Sequence, residues 1–290
     1  MSFFMTDDHI KLYYEVSGQG KTVVLIHGLT ASTRHFQKQI PVLARRFQVL
    51  AMDLRGHGQS EASADSLTLT RLAKDLKQLL NYLKITRASF IGWSMGAHVI
   101  FEYIKNYSCR EIENIIIIDM APKLLKSADW NFGLPGVFSR KQGDFGHEDN
   151  LYLLSVMLDN WEEYSKVVAQ RILNKSLYNE KMEFNTAADF KGKADLPWLY
   201  EEARKNKAWV IAAFWISMAI QDYRPLLKNI DVPCLITYGE ESNYYPPENH
   251  LYMAGQIPNA RVMEFRGCGH ALHIQDPELF NNAVIDFLKL

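Results

Sequence analysis

The segment from Ala88 to Ile104 most constrains the fold, because it joins an apolar run to a helix-like run through a glycine-flanked serine. Residues 88–91 favour a buried strand and residues 97–104 favour a helix. Between them stands Gly92-Trp93-Ser94-Met95-Gly96. A sharp strand-to-helix turn that projects a serine hydroxyl needs small residues at these glycine positions, because side chains there would collide. The segment predicts such a turn, although five residues of this kind also occur in ordinary glycine-rich turns.

Strands and helices alternate through most of the chain, which is typical of an α/β fold. Two short extended segments at the start predict an antiparallel hairpin. The run Ile115–Ile118 is apolar on both faces, as expected for a central strand of a parallel sheet covered by helices on each side. Apolar residues between Leu69 and Leu83 recur every three or four positions and predict an amphipathic helix. Further strands are predicted at 22–26, 47–52, 88–91, 234–238 and 261–265.

The alternation breaks after Asp119, where a stretch rich in glycine and proline precedes a series of helical segments with tryptophans. The strand and helix rhythm returns at Cys234. We therefore predict a core formed by residues 1–121 and 224–290, with a helical cap, residues 122–223, inserted into it.

Composition and charge exclude several classes of partner. The 290 residues are 48% hydrophobic and carry a formal net charge of -1 without a basic cluster, so a small-molecule ligand is favoured over nucleic acid. The longest nearly apolar run, Ala208 to Ile220, is shorter than the roughly 20 residues that span a bilayer. Three cysteines cannot form a complete disulfide framework, and the first residues lack the cationic start of a signal peptide, so we expect a cytoplasmic protein. The oligomeric state stays open.

A serine nucleophile needs a base that takes its proton and an acid that orients the base. Among nine histidines, His270 is the strongest candidate base, because it follows the last predicted strand in Gly267-Cys268-Gly269-His270. A loop there reaches the carboxyl edge of the sheet, where the serine turn also points. A solvated loop histidine is the alternative. His270 and His273 lack the further ligands of a zinc site, so we expect no metal and no cofactor.

Two backbone amides are candidates for holding the negative charge that develops on a carbonyl oxygen. One belongs to Met95, directly after the serine, and the other to Leu29, in the loop His27-Gly28-Leu29 after a predicted strand. Backbone donors leave no side-chain signature, so this prediction rests on position alone.

Four features stand in order along the chain: His27-Gly28, Asp53-x-Arg55-Gly56-x-Gly58-x-Ser60, Gly92-x-Ser94-x-Gly96 and Gly269-His270. Together they resemble the α/β-hydrolase superfamily, and within it the capped carboxylesterases. The resemblance implies an eight-stranded, mostly parallel sheet flanked by helices, with a helical cap after the sixth strand.

The chain departs from that family's usual pattern at the acid. Such enzymes usually carry Gly-x-x-Asp after the seventh strand, whereas this chain has Gly239-Glu240-Glu241-Ser242. A serine cannot supply the negative charge that stabilises an imidazolium. Some family members take the acid from the end of the sixth strand, so Asp119 is the first candidate, with Glu241 and then Glu240 as alternatives. A carboxylate that only accepts backbone hydrogen bonds is the non-catalytic interpretation of Asp119.

Aromatic residues of the cap predict an apolar roof over the serine. The predicted pocket residues are Trp93, His27, His273, Trp130, Phe132 and Trp215. The sequence therefore predicts a serine hydrolase that cleaves a small or medium, largely apolar carboxylic ester through an acyl-enzyme. Hydrolysis of a lactone, a thioester or a carbon-carbon bond stays open, as does a ligand receptor that keeps a hydrolase pocket.

Overall fold

Eight strands form one sheet in the computed structural model, which describes residues 2–134, 147–172 and 196–289. The strands are β1 Ser2–Met5, β2 Lys11–Ser17, β3 Thr22–Ile26, β4 Gln48–Met52, β5 Ala88–Trp93, β6 Ile112–Ile118, β7 Cys234–Gly239 and β8 Ala260–Phe265. Their spatial order is β1-β2-β4-β3-β5-β6-β7-β8. Strand β2 pairs antiparallel with β1 and β4, and the other pairs are parallel. The predicted eight-stranded, mostly parallel sheet is confirmed.

Ten α-helices lie in the described residues, and six of them belong to the sheet-containing core. These are α1 Ile40–Leu43, α2 Leu69–Tyr82, α3 Met95–Tyr107, α8 Pro247–Gln256, α9 Leu272–Gln275 and α10 Pro277–Leu288. The other four are inserted between β6 and β7: α4 His147–Asp159, α5 Trp161–Ile172, α6 Leu196–Arg204 and α7 Ala208–Ala219. Short 3-10 helices cover Thr33–Phe36, Ala64–Ser66 and Arg224–Asn229.

The centre of the sheet is buried on both faces. Residues Ile115–Ile118 of β6 have no exposed surface, as their apolar pattern predicts. Helix α2 buries its regularly spaced leucines against α3, and the Thr68 side chain caps its start by accepting a hydrogen bond from the Arg71 amide. Because β3, β5, β6, β7 and β8 run parallel, their carboxyl ends lie at one edge of the sheet.

The inserted helices leave and rejoin the core at one place. The Tyr223 amide donates to the Pro122 carbonyl at 2.8 Å, and Lys123 and Asp222 pair next to it, with Nζ 3.8 Å from Oδ2. The division at 122 and 223 stays a prediction, because residues 135–146 and 173–195 lie outside the described part of the chain. None of the described helices has both the length and the apolarity needed to cross a bilayer.

Candidate active site

Ser94 occupies a sharp turn between β5, which ends at Trp93, and α3, which begins at Met95. Its φ of 52° and ψ of -120° are strained for a residue with a side chain. The flanking glycines make the turn possible. A Cβ on Gly92 would lie 2.6 Å from the backbone of Gly96, and a Cβ on Gly96 would lie 2.1 Å from the carbonyl oxygen of Ile26. The predicted glycine spacing therefore has a steric cause.

The loop after β3 lies directly beside this turn. A Cβ on Gly28 would be 3.1 Å from Cβ of Ser94 and 3.3 Å from Trp93. Thr30 reverses the chain with a positive φ of 62°, and Leu29 lines the same cavity as Ser94. On the other side of Ser94, Met95 is the first residue of α3, where amides have no partner within the helix. The structure thus brings both predicted amide-bearing residues next to Ser94.

His270 lies on the loop after β8 and lines the same cavity as Ser94. Its Nδ1 is 2.7 Å from Oδ2 of Asp119, the predicted acid. The Trp93 indole donates to the His270 carbonyl at 2.9 Å, and the Tyr244 ring stacks on the imidazole at 3.9 Å between centroids. Because an ionised carboxylate only accepts hydrogen bonds, Nδ1 carries the hydrogen, and Nε2 of the neutral ring is the acceptor.

Asp119 follows β6 and is completely buried, with a positive φ of 44°. Ser242 Oγ donates to Oδ2 at 2.5 Å, the same oxygen that faces His270, and Nε2 of His250 lies 3.0 Å from Oδ1. Burial by itself raises the pKa of Asp119, but the neighbouring His250 and His270 outweigh it and hold the pKa below its usual value. Asp119 is therefore an ionised carboxylate inside the protein.

Ser242 stands at the position where the family pattern usually has the acid, and it supports Asp119 by a hydrogen bond. The sequence shows that Ser242 stands where the acid is usual, but it does not show that Ser242 forms a hydrogen bond with Asp119. His250 of α8 was missed, because nothing in its local sequence indicates that it faces the end of another strand.

The alternative acids lie elsewhere. Glu240 and Glu241 are exposed, and the Glu240 carboxylate accepts a hydrogen bond from the Gly267 amide at 3.0 Å. The Glu241 backbone amide donates to the Cys268 carbonyl. The carboxylate in contact with Nδ1 of His270 is that of Asp119.

The cavity in front of Ser94 has mostly apolar walls and is closed on one side by α5 and α7. The lining residues from the core are Leu29, Thr30, Trp93, Ser94, Met120, Tyr244, Tyr245 and His270, and Leu124 and Leu134 come from the segment that leads into the inserted helices. Those from the inserted helices are Tyr164, Val167, Val168, Arg171, Ile172, Trp215 and Met218. Two predicted pocket residues, Trp93 and Trp215, are among them. No cluster of three or more His, Cys, Asp or Glu side chains in the described ranges is arranged to hold a metal ion.

Two predicted pocket histidines lie outside the described lining of this cavity. His27 is fully buried, and its Nε2 accepts the Leu54 amide at 2.9 Å, so it braces the loop after β4. His273 is enclosed by Trp93 and Phe36, with ring centroids 4.9 and 5.2 Å away. Burial lowers the pKa of both histidines well below the usual value, so both are neutral.

The two predicted pocket aromatics Trp130 and Phe132 also lie outside that lining. Trp130 contacts Phe132 and Tyr252 of α8 at 5.3 and 5.0 Å between ring centroids, and its indole donates to the Lys123 carbonyl. These two rings therefore fasten the start of the insertion to the core. The sequence could not distinguish packing aromatics from lining ones.

The comparisons with known proteins agree with the fold. Residues 21–277 match the model of the alpha/beta hydrolase fold family. A non-heme chloroperoxidase, CPO-A1 of Kitasatospora aureofaciens, is 25% identical with full coverage of both chains. An esterase from Exiguobacterium antarcticum superposes with a TM-score of 0.85 at 22% identity, covering 100% of this chain and 99% of the other. An enol-lactonase from Burkholderia xenovorans LB400 superposes with a TM-score of 0.81 at 22% identity, covering 100% of both chains. The chain belongs to the alpha/beta hydrolase family.

Proposed function

We propose that this protein is a serine hydrolase that cleaves a small or medium carboxylic ester through an acyl-enzyme. One observation carries the proposal. His270, whose Nδ1 lies 2.7 Å from Oδ2 of the buried Asp119, lines the same apolar cavity as the strained turn that presents Ser94. This arrangement supplies a nucleophile, a base and an orienting carboxylate, which acyl transfer by a serine requires.

The chemistry proceeds in two halves. The Ser94 hydroxyl oxygen attacks the ester carbonyl carbon while Nε2 of His270 takes its proton. The amides of Leu29 and Met95 hold the resulting oxyanion, each worth on the order of 3 kcal/mol in comparable sites. His270 then gives the proton to the alcohol oxygen as the carbon-oxygen bond breaks. In the second half, His270 activates a water that attacks the acyl-enzyme, which releases the acid and restores Ser94.

Asp119 has an electrostatic part in this scheme. Its hydrogen bonds keep the carboxyl ionised, so its charge stabilises the imidazolium that forms when His270 takes a proton. Each step uses groups of this chain and water, and none requires a cofactor. The cytoplasmic location remains a prediction from the cysteine content.

Replacement Ser94→Ala tests the proposal. We expect p-nitrophenyl ester turnover to fall by about 10^4-fold or more, because the attacking oxygen is lost. Intact-mass analysis after fluorophosphonate treatment should show one adduct on Ser94 in the wild type and none in the variant. Ser155→Ala, which removes a hydroxyl from exposed Ser155 of α4, is the matched control and should keep both properties. Undiminished turnover by folded Ser94→Ala would refute the proposal.

The same groups can open a lactone or cleave a thioester, because each presents an acyl carbon with a leaving group. A panel of esters, lactones and thioesters, assayed under steady-state conditions, ranks these reactions by kcat/KM. Multiple turnover with any of them excludes a receptor that reacts once and holds its ligand.

A further inference from the structure

Thr30, in the loop after β3, has a backbone conformation that threonine rarely adopts. Its φ is 62°, and a β-branched residue at positive φ is strained. The Ala31 amide donates to the Gly28 carbonyl at 3.3 Å, so Thr30 is the third residue of a β-turn whose second residue is Leu29. A positive φ at the third position usually belongs to glycine or asparagine. Such strain persists only where surrounding contacts hold it, so the turn that carries the proposed oxyanion donor depends on contacts from outside.

One of these contacts comes from the inserted helices. Asn206, two residues after the end of α6, is 8% exposed, and its side-chain amide donates to the Thr30 carbonyl at 2.9 Å. The same nitrogen lies 3.1 and 2.9 Å from the carbonyl oxygens of Glu202 and Ala203. Because three acceptors surround this end of the amide, the nitrogen and not the oxygen belongs there. Asn206 thus joins the end of α6 to the strained turn.

This contact is the last of a row along α6 and the residues after it. Trp198, Glu202 and Asn206 stand four residues apart, a spacing that puts side chains on one side of a helix. Trp198 contacts the His35 ring at 4.8 Å between centroids, and the Glu202 carboxylate accepts a hydrogen bond from the Ser32 hydroxyl at 3.0 Å. The row therefore follows the loop after β3 back to the strained turn.

We propose that Asn206 positions the Leu29 amide, the proposed oxyanion donor, by holding the turn at Thr30. The inference rests on the proposed function. Without its donor, the Thr30 carbonyl would be free to turn, and Thr30 would relax to a negative φ. That change rotates the peptide group that joins Thr30 to Leu29, so the Leu29 backbone moves relative to Ser94. Asn206 is not among the described residues that line the cavity, so its loss slows the reaction without changing its kind.

The kinetics of Asn206→Ser test this role. A serine hydroxyl still reaches the carbonyls of its own helix end, but it is too short to reach Thr30. We expect kcat for a p-nitrophenyl ester to fall about tenfold with little change in KM, which is less than the roughly 10^2-fold cost of deleting an oxyanion donor. Asn259→Ala removes a similar bond, from the exposed Asn259 amide to the Asp231 carbonyl, and is the matched control that should keep wild-type kcat. An unchanged kcat in folded Asn206→Ser would overturn the proposal.

A pair of inhibitors separates positioning of the oxyanion donor from a general effect on the cavity. With pentyl trifluoromethyl ketone, the Ser94 hydroxyl oxygen adds to the carbonyl carbon, its proton passes to Nε2 of His270, and the carbonyl oxygen becomes an oxyanion. Pentyl methyl ketone is a poor electrophile and binds as the intact ketone. Asn206→Ser should weaken inhibition by the trifluoromethyl ketone about tenfold and leave inhibition by the methyl ketone unchanged. An equal loss for both ketones would overturn the proposal.

Fluorophosphonate labelling distinguishes failure of this proposal from failure of the proposed hydrolysis. No adduct on Ser94 of the wild type would refute the hydrolase and, with it, the role of Asn206. A labelled Ser94 together with unchanged inhibition of Asn206→Ser by the trifluoromethyl ketone would refute the role of Asn206 alone.

Discussion

At the scale of single residues, the position of the proposed acid is the feature that distinguishes this site. Asp119 comes from the end of β6, yet it meets His270 at the point where Ser242, from the loop after β7, also arrives. Both contact Oδ2 of the carboxylate. In the proposed site the charge beside the imidazole therefore comes from the end of β6, while the loop after β7 supplies a hydrogen-bond donor.

This geometry predicts the outcome of exchanging the acid. Asp119→Asn should lower kcat/KM for a p-nitrophenyl ester by about 10^4-fold, because an amide neither holds the required tautomer nor stabilises an imidazolium. The double variant Asp119→Asn with Ser242→Asp should have a kcat/KM at least tenfold higher than that of Asp119→Asn alone. The reason is that the loop carrying residue 242 already contacts Oδ2 of residue 119, so a carboxylate at 242 lies close to His270. Steady-state kinetics on the purified variants measure both effects. Glu241→Gln is the control and should cost little; a loss as large as that of Asp119→Asn would move the acid to Glu241.

The sequence indicated those site residues that stand directly after a strand. Ser94, His270 and Asp119 could be predicted to share one edge of the sheet, because the carboxyl ends of parallel strands meet there. His250 and Arg171 could not, because each lies within a helix, and the direction of a helical side chain depends on how the helix packs. Which charged side chains share the cavity is likewise decided only when the helices pack.

At the scale of elements, the contact between β3 and α3 governs the serine turn. Gly96→Ala would place a Cβ 2.1 Å from the Ile26 carbonyl oxygen, so the helix must shift away from the strand. We expect a loss of about 2 kcal/mol or more in the free energy of unfolding, together with lower esterase activity. Urea denaturation and steady-state kinetics measure the two effects.

Gly255→Ala is the matched control for that substitution. Gly255 lies in α8 and is exposed, and a Cβ added there would meet no atom within 4 Å. Alanine there should raise the free energy of unfolding by about 0.5–1 kcal/mol, because it restricts the unfolded chain. A Gly96→Ala protein as stable as wild type would contradict the steric explanation.

Elements with a clear hydrophobic period were predictable and the cavity wall was not. The apolar run of β6 and the leucine spacing of α2 indicate burial directly, and both elements are found where expected. In α5, Tyr164, Val168 and Arg171 line the cavity, and their spacing of four and three places them on one helical face. That face mixes aromatic, apolar and charged residues, so periodicity alone does not reveal its role.

At the scale of the whole molecule, buried histidines tie stability to pH. Burial lowers the pKa of His35, His57 and His98 to about 4, whereas an unfolded histidine titrates at 6.5.

The sign of the effect follows from proton binding. Below pH 6.5 the unfolded chain binds protons that these folded histidines do not, so the stability that is fully present above 6.5 is lost as pH falls toward 4. We expect the free energy of unfolding to fall by up to about 1.4 kcal/mol per pH unit for each histidine. His98→Gln keeps a donor for the Ala121 carbonyl. It should reduce the dependence of the free energy of unfolding on pH by the contribution of about one proton. Urea denaturation between about pH 7 and 4.5 measures it, and identical slopes in variant and wild type would exclude His98 as a contributor.

The hydrogen bond between Tyr223 and Pro122 has a consequence for how such a protein diversifies. The chain leaves the sheet and returns to it at the same point, so the length and content of the intervening segment place no demand on the strands. The inserted helices carry Arg171, Trp215 and the rest of one cavity wall, whereas Ser94, His270 and Asp119 all belong to the sheet's edge. Selectivity and reaction chemistry can thus be inherited separately, since an exchanged insertion alters which molecules enter while the proposed reacting groups keep their places.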